Sequence, residues 1–196
     1  NALRDLHTAY RLPAPFRGKT AWLPFMLEDC WEHGRRKYIV TQLVGDAGPE
    51  TFQPGVEILY WNGMPIQAAV AQNADQRAGS NRAARHARGL DAMTLRPLAY
   101  GQPPEEEWVT LHYAGPDGEM HAWTQNWLVF EPGYGHRRLN PEEPTAAATY
   151  VGIDERTDAV REAKRALFAG DVSQKERQVS ERGASEAIQN TGGGIP

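Results

Sequence analysis

A strand pattern that ends in a tight-turn dipeptide and continues directly into a helix pattern lies in the first half of this 196-residue chain. Residues 56–61 (VEILYW) are rich in β-branched and aromatic side chains, which is typical of a strand. The next two residues, Asn62 and Gly63, favour a tight turn because both tolerate a positive φ. Pro65 then suits the first position of a helix. The sequence therefore predicts a strand, a turn and a helix in immediate succession.

Further strand patterns lie on both sides of this unit. Residues 22–27 and 37–44 precede it and are again rich in β-branched and aromatic side chains. Residues 109–113 alternate between apolar and polar side chains, which indicates a strand with one solvated face. A turn at residues 115–118 connects this strand to a second one over residues 119–130, so the two form a hairpin.

Two helices are predicted between the strands. The first covers residues 65–77 and has one apolar face, made by Ile66, Ala69, Val70, Ala74 and Ala78. The second covers residues 82–93, is capped by Asn81, and has Ala83, Ala87 and Leu90 on one stripe. Residues 94–98 contain a proline and predict no more than an edge strand. Helices and strands that are mixed in this way indicate an α+β fold.

The composition changes after residue 131. Residues 132–152 have no sustained period and are interpreted as a linker. Helical spacing returns over residues 154–168. Residues 153–196 as a whole are therefore interpreted as a helical and glycine-rich connector.

Charge and cysteine content exclude several function classes. The net charge of −4 has no basic excess, so neither nucleic acid nor a membrane is expected as a partner. The single cysteine, Cys30, excludes an internal disulfide framework and any zinc site built on several thiolates. A hairpin symmetric about residues 115–118 would place His112 opposite His121, but solvated neighbours are the favoured interpretation of that pair. We expect no metal and no cofactor.

The order of these elements resembles the PDZ domains of bacterial proteases. Those domains place a strand and an Asn-Gly turn before a helix that flanks the peptide groove, and residues 52–66 (FQPGVEILYWNGMPI) are a close variant. Residues 3–13 (LRDLHTAYRLP) resemble the "D-x-H-T/A" stretch near the start of tail-specific, C-terminal-processing serine peptidases. Shorter fragments resemble the subgroup related to chlamydial protease-like activity factor, and they lie at residues 21–25, 79–81, 87–90 and 103–109.

This resemblance implies an architecture and a chemistry. The architecture is a PDZ-like, partly open β-barrel or sandwich over residues 21–131, flanked by helices and followed by the helical linker. Residues 1–20 would belong to the catalytic region of a serine endopeptidase. In that family a Ser-His-Glu triad takes its serine and glutamate from a C-terminal half, and His7 matches the general base. We therefore expect this chain to be inactive alone and to act with that catalytic half, in a secreted or periplasmic location.

The resemblance also implies a polypeptide ligand. A PDZ groove binds an extended peptide as an added strand, and we expect it between residues 37–44 and the helix at residues 65–77. The residues expected to bind substrate there are Val40, Thr41, Ile66 and Val70. The alternative is a non-catalytic PDZ-like module that binds peptides or inhibits its own protein. The sequence leaves open whether the protein is a homodimer.

Overall fold

The computed structural model describes residues 11–79, 81–131 and 156–168. The strands are β1 (Thr20–Trp22), β2 (Phe25–Glu32), β3 (Arg35–Leu43), β4 (Glu57–Trp61), β5 (Met64–Pro65), β6 (Leu95–Pro97), β7 (Trp108–Ala114), β8 (Met120–Asn126) and β9 (Leu128–Phe130). The helices are α1 (Ile66–Asp75), α2 (Arg82–Thr94) and α3 (156–168). No helix in these ranges is both long enough and apolar enough to cross a bilayer.

The strands form two antiparallel sheets. The larger sheet has six strands in the order β2-β3-β4-β7-β8, with β5 paired to β4. The smaller sheet has the order β6-β1-β9. Within the described residues neither sheet closes into a barrel, so the predicted α+β and partly open architecture is confirmed. The short strand predicted over residues 94–98 is also confirmed, because β6 is an edge strand of the smaller sheet.

Two strands that the sequence predicted as continuous are interrupted. The strand predicted over residues 22–27 is divided at Leu23 and Pro24, so that β1 and β2 belong to different sheets. Proline has no N–H for a ladder, and Pro24 contributes only its carbonyl, which accepts from Val44 N at 3.0 Å. Likewise, the strand predicted over residues 119–130 is divided at Trp127, whose N–H bonds the carbonyl of Glu107 instead.

The hairpin register differs by one residue from the symmetric one. The loop includes Glu119, because Gly115 N donates to the Glu119 carbonyl at 2.9 Å. His121 therefore lies opposite Tyr113, and its ring stacks on the tyrosine ring with centroids 5.6 Å apart. His112 lies opposite Ala122. A shift of one residue moves a side chain to the other face of a strand, so the expected His112–His121 pair does not form.

The two helices cover one face of the large sheet. Four of the five residues predicted on the apolar face of α1 are buried, together with Asn73. The fifth, Ala78, lies beyond the end of the helix and is half-buried. Asn81 caps α2 as predicted, since its Oδ1 accepts from Ala84 N at 2.8 Å. The predicted stripe on α2 is wrong in part, because Ala83 and Ala87 are exposed. The buried residues of α2 are instead Arg85, Gly89, Leu90, Ala92, Met93 and Thr94.

The burial of Arg85 has a local cause. Its Nη1 donates to the carbonyl of Gly79 at 3.1 Å, which gives this buried charge a partner at the end of the loop before α2. Because its guanidinium has a hydrogen-bond partner, Arg85 can be buried although it is charged. Of the arginines of α2, Arg85 is therefore buried, whereas Arg82 is exposed and Arg88 is half-buried.

Candidate functional site

The four residues expected to bind substrate line the core rather than an open groove. Val40, Ile66 and Val70 are 0%, 2% and 0% exposed and belong to the main apolar cluster. Thr41 is half-buried at a β-bulge, because Gln42 pairs with Met26 while Val40 pairs with Leu27. The structure brings these residues into one part of the domain, but it does not present the three apolar side chains to a ligand.

Strand β3 also lacks a free edge. One side pairs with β2 over the whole length of that strand. On the other side Ile39 pairs with Glu57, and the Val40 N–H donates to the Val56 carbonyl at 3.0 Å. On the β4 side β3 therefore pairs at Ile39 and Val40, and the strand lies inside the sheet rather than at its edge.

The open edge beside a helix belongs to β2 instead. Strand β2 is the first strand of the large sheet, and α2 packs against it. Val40 uses both of its backbone groups on the β4 side, since its carbonyl also accepts from Gly55 N at 2.7 Å. Its β2 partner, Leu27, is therefore in a non-hydrogen-bonded pair, and the backbone N–H and C=O of Leu27 point away from the sheet. By alternation, Asp29 and Trp31 direct their backbone groups outward as well.

A polar cluster joins the middle of β2 to α2. Asp29 Oδ2 lies 3.3 Å from Arg36 Nε and 3.5 Å from His86 Nε2. Arg36 Nη1 is 3.1 Å from His86 Nε2, and the ring of His86 lies 6.0 Å from that of Tyr38. Burial and then the Arg36 charge hold the pKa of His86 below its ordinary value, although Asp29 opposes this. The cluster therefore favours a neutral imidazole between one cation and one carboxylate.

An exposed tryptophan ends the same strand. Trp31 is 66% exposed, and the Arg36 guanidinium lies over its ring, 5.1 Å from the centroid. Large exposed aromatic rings with a fixed cation are frequent at binding surfaces. Trp31 therefore extends the candidate surface beyond the end of α2.

A sequence signal for this edge was present. Strand β2 reads FMLEDCWE, and three of its eight residues are acidic. Charged residues on a strand are typical of sheet edges, where they discourage unwanted pairing. The sequence analysis predicted only residues 22–27 as a strand and so missed this charged half of β2.

Strand β8 forms the opposite edge of the large sheet. Its residues alternate between exposed and half-buried along their whole length. The backbone groups of Thr110 on β7 point toward Asn62, and those of His112, two residues later, point the same way. Ala122, the β8 partner of His112, is therefore in a non-hydrogen-bonded pair, and its N–H points away from the sheet. This edge offers the same backbone pattern as β2 without a helix packed against it among the residues that the structure describes.

Two further expectations concern His7, the expected general base, and metal ions. His7 lies outside the described residues. Within the described ranges no group of three or more His, Cys, Asp or Glu side chains could hold a metal ion. The closest acidic–imidazole pair is Asp117 with His121, whose Oδ2 and Nε2 lie 2.9 Å apart and whose hydrogen bond lowers the pKa of Asp117. That pair closes the β7–β8 turn.

Comparisons with known proteins identify the family of the domain. Residues 19–137 match the family model of the PDZ domain. Two solved structures of mature CPAF, one of them complexed with lactacystin, are similar to the chain at 19% sequence identity, with TM-scores of 0.49 and 0.50. In both comparisons the match covers 65% of this chain but only 23% of the CPAF chain. A search of curated proteins found no significant match.

Proposed function

Since this chain belongs to the PDZ domain family, we propose that it binds extended polypeptide segments along the outer edge of β2, beside α2. The observation that carries the proposal is the outward direction of the backbone groups of Leu27, Asp29 and Trp31. A peptide strand placed there would add a seventh strand to the large sheet. Main-chain hydrogen bonds would supply affinity, and alternate side chains would supply selectivity.

We call the space between the outer edge of β2 and α2 the peptide channel. Its helix side supports the same ligand. Ala83, an exposed residue of α2, is small and precedes the buried Leu90 by two turns, so it lies on nearly the same side of the helix. Small side chains leave room for a peptide side chain between helix and strand, whereas Leu90, further along the helix, is buried. The side of α2 that faces β2 therefore places a small side chain, Ala83, and the polar cluster at His86 beside the hydrogen-bonding strand edge.

The larger protein that this module serves is proposed to be a tail-specific serine endopeptidase. In this proposal His7 is the general base, and the serine and glutamate of the triad come from a C-terminal catalytic half of the same protein. The support is the stretch LRDLHTAYRLP at residues 3–13, and the shared fold with mature CPAF is compatible with it. Residues 1–20 would then belong to the catalytic region, and residues 132–196 would connect the PDZ domain to the catalytic half.

A peptide array followed by calorimetric titration of the 196-residue chain tests the proposed ligand. We expect extended peptides to bind at about micromolar strength, as for a short added strand. Absence of binding by every peptide would overturn the proposal and leave a PDZ fold that serves packing or inhibition within its own protein. Chemical-shift changes confined to β8 would equally overturn the assignment to β2.

A further inference from the structure

A second concave region lies on the side of α2 that faces away from the sheet. It is a cavity of about 290 Å³ between α2, β6 and the beginning of α3. Leu90 and Met93 of α2 face the main core, whereas Ala84, Arg88 and Asp91 line this cavity. Because the two sets lie on different faces of one helix, the cavity is separate from the β2 edge.

The lining of the cavity has an excess of positive charge. Four arginines contribute to it, Arg77, Arg88, Arg96 and Arg156. The lining has one carboxylate, that of Asp91, which is already engaged by Lys164 Nζ at 2.5 Å. The remaining walls are largely apolar and include Ala84, Ala87, Ala92, Leu95, Pro97 and Val160.

Arg77 has a donor that the described residues leave unmet. Its Nη2 donates to Asn73 Oδ1 at 2.8 Å, and Asn73 Nδ2 in turn donates to the Gly89 carbonyl at 2.6 Å. The Arg77 Nε is buried and has no hydrogen-bond partner among the described residues. Burying a charged donor without a partner costs free energy. An acceptor that bound at Arg77 Nε would remove this cost.

Neighbouring positive charges also act on the Arg77 guanidinium. Burial, with the positive charges of Arg96 and Arg156, lowers the pKa of Arg77 to about 10. No carboxylate among the described residues forms an ion pair with Arg77. By contrast, Arg96 Nε donates to the Ala92 carbonyl at 2.8 Å, and its guanidinium lies 4.0 Å from Glu106. A bound anion would therefore relieve the repulsion of the Arg77 guanidinium by Arg96 and Arg156.

We propose that this cavity binds a small organic anion, a carboxylate or phosphate group attached to a short apolar body. The anionic group would accept hydrogen bonds from Arg77 and lie near Arg96, and the apolar body would contact the alanine and proline walls. Guanidinium groups suit this ligand because they donate two parallel hydrogen bonds to a planar carboxylate or to a phosphate. The site is independent of the peptide channel.

Isothermal titration calorimetry on the 196-residue chain tests the proposal with four probes. Hexanoate and hexyl phosphate carry both features, hexanol lacks the charge, and inorganic phosphate lacks the apolar body. We expect saturable binding of hexanoate or hexyl phosphate and at least tenfold weaker binding of hexanol. Failure of both hexyl anions to bind would overturn the proposal. Equal binding of inorganic phosphate and hexyl phosphate would overturn the part that concerns the apolar body.

Variants locate the bound anion. Arg77→Gln should weaken binding at least tenfold, whereas Arg82→Gln should not change it, because Arg82 is exposed on α2 and does not line the cavity. If Arg77→Gln fails to fold, Ala84→Phe, which fills the cavity from its partly exposed wall, should abolish binding. Unchanged affinity in a folded Arg77→Gln or Ala84→Phe variant would overturn the assignment. Peptide binding at β2 should survive in both variants, so the two proposals fail separately.

Discussion

Gly89 of α2 and Ala74 of α1 lie so close together that a Cβ added to Gly89 would be 2.6 Å from the Ala74 Cα. The Ala74 Cα belongs to the backbone, which cannot move aside as a flexible side chain can. The absence of a side chain at Gly89 therefore sets how closely the helices cross. It also places the Gly89 carbonyl where Asn73 Nδ2 of α1 can donate to it.

Gly89→Ala should accordingly destabilise the domain. We expect a loss of about 1–3 kcal/mol from overpacking, which exceeds the ~1 kcal/mol that alanine gains over glycine in helix propensity. Urea unfolding followed by circular dichroism measures the change. Gly101→Ala is the matched control, since the nearest atom to its added Cβ is Arg77 Nη1 at an ordinary 3.6 Å. Equal stability of the Gly89→Ala variant and the parent would contradict this packing argument.

Asp29→Pro should abolish peptide binding while the domain stays folded. Proline removes the outward N–H of Asp29 but no bond of the β2–β3 ladder, and proline is tolerated on sheet edges. Calorimetric titration with a peptide that binds the parent measures the effect, and we expect at least a tenfold loss of affinity.

Two controls separate the causes of such a loss. Asp29→Ala removes the carboxylate near Arg36 and His86 but keeps the N–H, so it should retain most of the affinity. Ala122→Pro makes the equivalent change on β8 and should leave binding unchanged. Weaker binding by Ala122→Pro together with normal binding by Asp29→Pro would show that the peptide binds at β8 and not at β2.

His86 should make stability depend on pH in a defined direction. Because its pKa in the folded state is lowered, the unfolded chain binds more protons near and below the ordinary value of 6.5. Stability attributable to His86 is therefore present above pH 6.5 and is lost as the pH falls toward and below the folded-state pKa. The charged groups that face it are Asp29 and Arg36.

Urea midpoints measured between pH 7.5 and 5.5 check this dependence. His86→Gln should flatten the curve relative to the parent. His33→Asn is the control, because His33 is exposed in the β2–β3 turn with a φ of 50°, which asparagine tolerates. An identical slope in His86→Gln and the parent would show that the imidazole titrates alike in both states.

His7→Ala tests the proposed enzyme in a protein that includes the catalytic half. Triad residues act as a unit, so turnover of an unstructured protein substrate should fall by several orders of magnitude. The 196-residue chain alone should show no turnover, since a general base without a nucleophile and oxyanion donors has no covalent route. A loss of less than about tenfold in the longer protein would exclude His7 from the triad.

The sequence by itself determined the local elements. Apolar spacing located the buried face of α1, and Asn81 located the beginning of α2, because both depend on residues only three or four positions apart. The Asn62-Gly63 turn and the α+β class followed for the same reason. These features require no knowledge of which strands become neighbours.

The tertiary structure decided where the candidate site lies. Residues 37–44 were predicted as a strand that could flank a groove, but β3 lies between β2 and β4 in the sheet, and β2 is the first strand. The pairing of Arg85 with Gly79 and the arginine-lined cavity likewise join residues from separate elements. The periodicity of apolar residues predicts which face of a strand or helix is buried. Strand neighbours and buried charge partners come from long-range contacts, which no local pattern contains.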